Sequence, residues 1–234
     1  MQYCIQPLSI VKLSLSYTDL AGMETAQIQE IISAQFADRH TAADLQELLA
    51  AVAENGGADP DETQLARGAS FIYNYIEQVP YLLTVAWTSA RKVGLEAEIE
   101  SILEMVQSYW IEDDDVIPDT LGIIGLLDDA YCSLSSMQTL SDLFRMQSGK
   151  HLFPDDMTAA NGIMRKIIGE PYASELDGIV GKAVAAAQVK KAVRLLSNPE
   201  KQHLLAGQAT IWNHGPVSEL PIDQLSGLGL IEEP

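Results

Sequence analysis

Two cysteines in 234 residues, Cys4 and Cys132, are too few for a disulfide framework. No CxxC or Cys/His spacing accompanies them, so zinc is not implied and a reducing compartment is expected. Long apolar runs are missing too. None reaches the ~18 residues a membrane-spanning helix needs, and residues 81–87 and 121–127 are the best of the short ones. No basic segment precedes an apolar stretch at the start, where Lys12 falls inside the apolar part, so a secretory signal is not expected and the cytoplasm is. Positive charge is scarce, with 14 Lys and Arg against 33 Asp and Glu and a net charge of −19. A chain so acidic repels phosphate backbones, which argues against nucleic-acid binding. Residues 1–120 carry 20 acidic and 5 basic side chains; the remainder carry 13 and 9. The plain consequence is solubility. The alternative is an acidic surface made for a basic partner or a cation.

Motifs of known chemistry are equally sparse. There is no HExxH, GxSxG or EF-hand loop, and Gly178-Ile179-Val180-Gly181-Lys182 lacks Walker A spacing. His40, His151, His203 and His214 are scattered and read as surface or helix-end residues. Cys132 reads as a buried helix residue and Cys4 as a passive thiol.

What the chain does have is helical periodicity. After a period-two stretch at residues 8–17, read as a strand, apolar positions recur at helical spacing over residues 26–37, 41–55 and 60–79. Thr41 is placed to cap the second helix, with Asp44 as an imperfect capping box. Pro80 is expected to kink or interrupt the third, with helix resuming over 81–93 and again over 95–110. Helices are expected at 130–146 and 157–168, and one long alanine-rich helix at 174–196. Residues 198–234 read as a loop-rich tail, with a possible partner strand for the N-terminal one at 208–212. The expectation is a single mostly α, bundle-like domain over residues 1–234, with a small two-stranded β ribbon joining the termini as an option.

The most unusual stretch runs from Tyr109 to Tyr131, YWIEDDDVIPDTLGIIGLLDDAY. Acids at 112–115, at Asp119 and at the Asp128-Asp129 pair flank a short apolar run. Pro118 suits a helix start, which places Asp119 in a first turn where the helix dipole favours a carboxylate. Gly122 and Gly125 lower helix propensity. A bend at Gly125 would put Asp128 and Asp129 at the start of the next helix. The same bend would let Asp115, Asp119, Asp128 and Asp129 converge, and an all-oxygen set of this kind suits Mg²⁺, Mn²⁺ or Ca²⁺. Capping and internal ion pairs account for the same acids without a cation. Trp110, at the start of the stretch and bordering its acids, is a candidate pocket wall. Lys182, Lys190, Lys191 and Arg194 form the one basic stripe; Lys190, Lys191 and Arg194 are candidates to neutralise the acids within the fold or between subunits.

The stretch resembles the signature of the YkvA-like domain-of-unknown-function family over about residues 100–140. The matching positions are Tyr109, Asp115, Ile117, Pro118, Asp119, Gly125, Leu127, Asp128 and Asp129. The chain departs at Asp113 and Gly122, where the family has proline. The resemblance implies a small helical hairpin module found in many bacterial proteins, some tied to membranes, and no established activity. Three functions stay open: a non-enzymatic scaffold presenting an acidic surface to a protein partner, itself or another; a divalent-cation site, with a metal-dependent hydrolase as its extension; and peripheral membrane contact through residues 120–127.

Overall fold

The computed structural model describes residues 25–110, 116–149, 156–206 and 222–231. Among these, nine α-helices and two 3-10 segments follow one another: α1 (Thr25–Phe36), α2 (Thr41–Asn55), α3 (Glu62–Val93), α4 (Glu96–Ser108), a 3-10 corner (Asp119–Leu126), α5 (Leu127–Ser148), α6 (Thr158–Ile168), α7 (Tyr172–Ala185), α8 (Ala187–Leu196), α9 (Pro199–Ala206) and a 3-10 turn (Ile222–Leu225). The mostly α architecture is as the periodicity implies. The segments at 8–17 and 208–212 lie outside the described residues. Among the described residues, no helix is long and apolar enough to cross a membrane.

Helices α3 and α5 organise the rest, and the buried apolar side chains form one contiguous core around them. On α3, Phe71, Ile72, Tyr75, Ile76, Val79, Leu82 and Leu83 are buried against α1, α2, α4 and α5. Its start is fixed by a capping box in which Asp61 accepts from the Gln64 amide at 2.8 Å and Gln64 Oε1 accepts from the Asp61 amide at 2.8 Å. Its end is set by Gly94, left-handed at φ 69°.

Three local expectations are modified. Of the kink or interruption expected at Pro80, the interruption is absent, since α3 continues across it. An interior proline costs about 3 kcal/mol, while burying each of Val79, Leu82 and Leu83 returns roughly 1.5–3 kcal/mol, so packing wins. Thr41 is not the cap of α2: His40 holds that position, and the Thr41 hydroxyl donates to Gln35 O at 2.6 Å, closing the open end of α1 instead. The helix expected at 174–196 breaks at Ala186 (φ −56°, ψ 139°) into α7 and α8. Both halves bury apolar rows, Leu176, Val180 and Val184 on one and Val189, Val193 and Leu196 on the other. The break lets α7 lie along α5 while α8 lies along α4.

The C-terminal region is also more structured than its composition suggests. Pro199 takes the first position of α9, and Asn198 Oδ1 accepts from the Glu200 amide at 3.0 Å. Residues 222–231 then lie over α3 with Leu225, Leu228 and Leu230 buried. Gly68 makes the room, because a Cβ there would sit 2.8 Å from Leu228 Cδ1 and 2.7 Å from Leu49 Cδ1.

Candidate functional site: the acidic corner and the cleft beside it

Helix α5 has a buried polar side, an arrangement tolerated only where each polar group finds a partner. Ser133 Oγ accepts from Trp110 Nε1 at 2.9 Å, and Ser136 Oγ lies 3.0 Å from the Tyr109 hydroxyl. Gln138 Oε1 accepts from the Met157 amide at 2.7 Å just before α6. The Tyr131 hydroxyl donates to Asp177 Oδ1 on α7 at 2.6 Å. Asp128 Oδ2 accepts from the Ile117 amide at 2.9 Å. These bonds tie the end of α4, the corner, α6 and α7 to a single helix.

The corner turns at Gly122, with φ 64° and ψ −128°, and not at Gly125 as the sequence suggested. Those angles match the first central position of a type II′ turn, which glycine occupies without steric cost. Proline, fixed near φ −65°, could not take this turn. The apolar run around it points inward: Ile123, Leu126 and Leu127 are buried, leaving Leu121 52% exposed. Ile124 in the same run is half-buried.

Asp128 and Asp129 lie in the first turn of α5, 3% and 8% exposed. There the positive end of the helix dipole offsets part of the cost of burying a carboxylate. Both line an open cleft of about 280 Å³, with Ser108 and Tyr109 from the end of α4, Val116, Cys132, and Leu176, Ile179, Lys182 and Ala183 on α7. On its α7 side the cleft has three apolar side chains and Lys182, and at its α5 end it is acidic. Burial pushes the Cys132 thiol far up, and the carboxylates of Asp128, Asp129 and Asp177 add to this. The thiol therefore stays protonated and is a poor nucleophile. Burial, and then the hydrogen bond to Asp177, likewise raises the Tyr131 hydroxyl, keeping it a donor. Asp177 Oδ2 accepts from Arg165 Nε at 2.9 Å, and Arg165 Nη2 reaches Glu170 Oε1 at 2.8 Å. A carboxylate–guanidinium chain thus runs outward from Tyr131 to the surface.

No family model, curated protein or solved structure matches the chain.

Of the four aspartates expected to converge, Asp128 and Asp129 share the cleft. Asp119 opens the 3-10 corner after Pro118 (φ −59°, ψ 131°), and Asp115 lies outside the described residues. Among the described residues, no group of three or more His, Cys, Asp or Glu side chains is arranged to hold a metal ion. The aromatic wall is Tyr109, whereas Trp110 is buried and spends its N–H on Ser133. Lys190, Lys191 and Arg194 all lie on exposed positions of α8. The break at Ala186 separates them from Lys182, the basic residue that reaches the cleft. Sequence reasoning missed Tyr131, Asp177 and Arg165. Their only signal was Tyr131 two residues after the aspartate pair, since the other two stand on different helices.

Proposed function

We propose that the protein is a non-enzymatic helical interaction module, a divergent member of the YkvA-like family acting in the cytoplasm. In this reading the corner serves as a structural joint and not as a reaction centre. The observation that carries it is the hydrogen bond from the Ile117 amide to Asp128 Oδ2. The carboxylate that anchors the signature is engaged in closing the loop onto α5. Tyr109 and Tyr131, the aromatics bounding the stretch, are engaged in the same way through Ser136 and Asp177. The strong negative charge of the first half of the chain then presents an acidic surface to a protein partner, another protein or a second copy.

A divalent cation is the second reading, favoured by Asp128 and Asp129 lining one cleft. Mg²⁺, Mn²⁺ or Ca²⁺ would sit there with Asp115 and Asp119 as further oxygen donors. Thermal melts in EDTA and in millimolar amounts of each ion separate the two. Binding to the native state raises the melting temperature. The joint reading expects wild type and Asp128→Asn to respond alike to every ion. An ion-specific rise in wild type that Asp128→Asn abolishes would replace it with the cation reading.

A further inference from the structure

The α8 part of the basic stripe, which does not reach the cleft, has a surface of its own. Residues 178–199 contain no acid and hold Lys182, Lys190, Lys191 and Arg194. No other stretch of the chain has that balance. On α8, Lys190, Lys191, Arg194 and Leu195 are all exposed, Leu195 at 42%. Side chains four apart stand one above the other on a helix. Lys190 with Arg194 and Lys191 with Leu195 therefore form two adjacent columns, three cations and one leucine in a compact square. The ion pairs among the described residues are Arg145–Asp142, Arg165–Glu170, Arg165–Asp177 and Lys201–Glu98. None involves the three α8 cations. Glu100 and Glu104, exposed on the neighbouring α4, are not within ion-pair distance of them either.

We propose that this face of α8 is a docking surface for a short acidic amphipathic helix of a protein partner, with carboxylates on successive turns against Lys190, Lys191 and Arg194 and an apolar side chain against Leu195. Size and screening select that occupant. Helix α8 has 10 residues and is ~15 Å long, while charges decouple over about 8 Å at physiological ionic strength. A helical segment confined to that footprint meets the basic face and little else. A nucleic acid or an anionic bilayer extends far beyond it and meets the rest of a chain of net charge −19. A second copy, a body far wider than that footprint, likewise brings much of its net charge of −19 against the rest of the chain, so a short segment fits the face better than a whole copy does. Leu195 gives the contact an apolar element, which a purely ionic surface lacks. The inference rests on the reading of the protein as an interaction module, but it uses a different face from the corner.

The test is fluorescence anisotropy with a labelled peptide about 15 residues long, the length at which an isolated helix begins to hold. The peptide carries glutamate at every fourth position beside a leucine row; a glutamine-for-glutamate copy, a single-stranded oligonucleotide and phosphatidylserine vesicles are the other probes. The expected result is salt-sensitive binding of the glutamate peptide to the full-length protein. Lys190→Gln/Lys191→Gln/Arg194→Gln should weaken it about tenfold, the scale of three exposed charge pairs. Leu195→Ser should weaken it with less salt dependence. Arg67→Gln, removing an exposed base on α3, and Asp128→Asn should leave it unchanged; circular dichroism checks that each variant folds. Equal affinity of wild type and the triple variant, or no binding, overturns the proposal. Tighter binding of the oligonucleotide or the vesicles that the triple variant abolishes overturns the choice of occupant. Failure here leaves the corner reading intact, and an ion-specific melting shift would do the reverse.

Discussion

Substitution of Gly122 isolates the geometry of the corner from its charge. At φ 64° and ψ −128° an L-residue is strained, at a cost of about 1–3 kcal/mol. A Cβ built there would lie 3.5 Å from Gln35 Oε1, an ordinary contact, so torsion and not crowding sets the loss for Gly122→Ala. For a chain of this size each kcal/mol lowers the melting temperature by roughly 2–4 °C. Gly122→Pro should cost more, above about 3 kcal/mol, because the ring forbids the sign of φ. Gly162, in the exposed face of α6 with nothing within 4 Å of a built Cβ, is the matched control; there alanine should stabilise by about 0.5–1 kcal/mol. Urea titration followed by circular dichroism reads both, with a shifted midpoint and an unchanged slope. The reasoning fails if Gly122→Ala matches or exceeds the stability of wild type, or if Gly122→Pro is tolerated, since the turn would then not have the shape described.

Asp128→Ala should destabilise by about 1.5–3 kcal/mol, the range for a hydrogen bond to a charged group. Asp128→Asn, which keeps an acceptor for Ile117, should lose less than half of that, and urea midpoints rank the two. With Cys4→Ser in the background, Cys132 should resist Ellman's reagent at neutral pH and react only at the rate of unfolding, despite lining a cleft; rapid native labelling would contradict its raised pKa. Glu170 is held below the usual carboxylate range by Ser174 and then Arg165. Its contribution is therefore complete above the ordinary carboxylate pKa and lost as pH falls through the lowered one. Glu170→Gln should accordingly reduce the acid-side slope of melting temperature against pH and leave the alkaline side unaltered.

Much of the helical framework was legible because periodicity and punctuation agree there. Residues 41–55 end at Asn55-Gly56-Gly57, and α2 stops at Asn55. What was illegible depends on partners distant in sequence. Nothing local marks Ala186 as a break within an alanine-rich run; it follows from two helices wanting two different neighbours, α5 and α4. Pro80 looks like a stop until the buried residues on both sides of it are known. Leu225, Leu228 and Leu230 match neither a helical nor a strand period, yet all three are buried, and Gly68 leaves the room that Leu228 takes. At the corner, two glycines three residues apart offered two places to turn, and the inward burial of Ile123 and Leu126 goes with the turn at the first. The aspartate pair was visible as an oddity of charge, but the Ile117 amide that Asp128 holds has no signature in sequence.

Amide hydrogen exchange at Ile117, measured by NMR in wild type and in Asp128→Asn and Asp128→Ala, bears most directly on the corner as a structural joint. The account predicts a protected Ile117 amide in wild type, partial protection with asparagine and near-complete loss with alanine, while amides in the middle of α3 stay protected in all three. An Ile117 amide that exchanges at the same rate in all three proteins would contradict it.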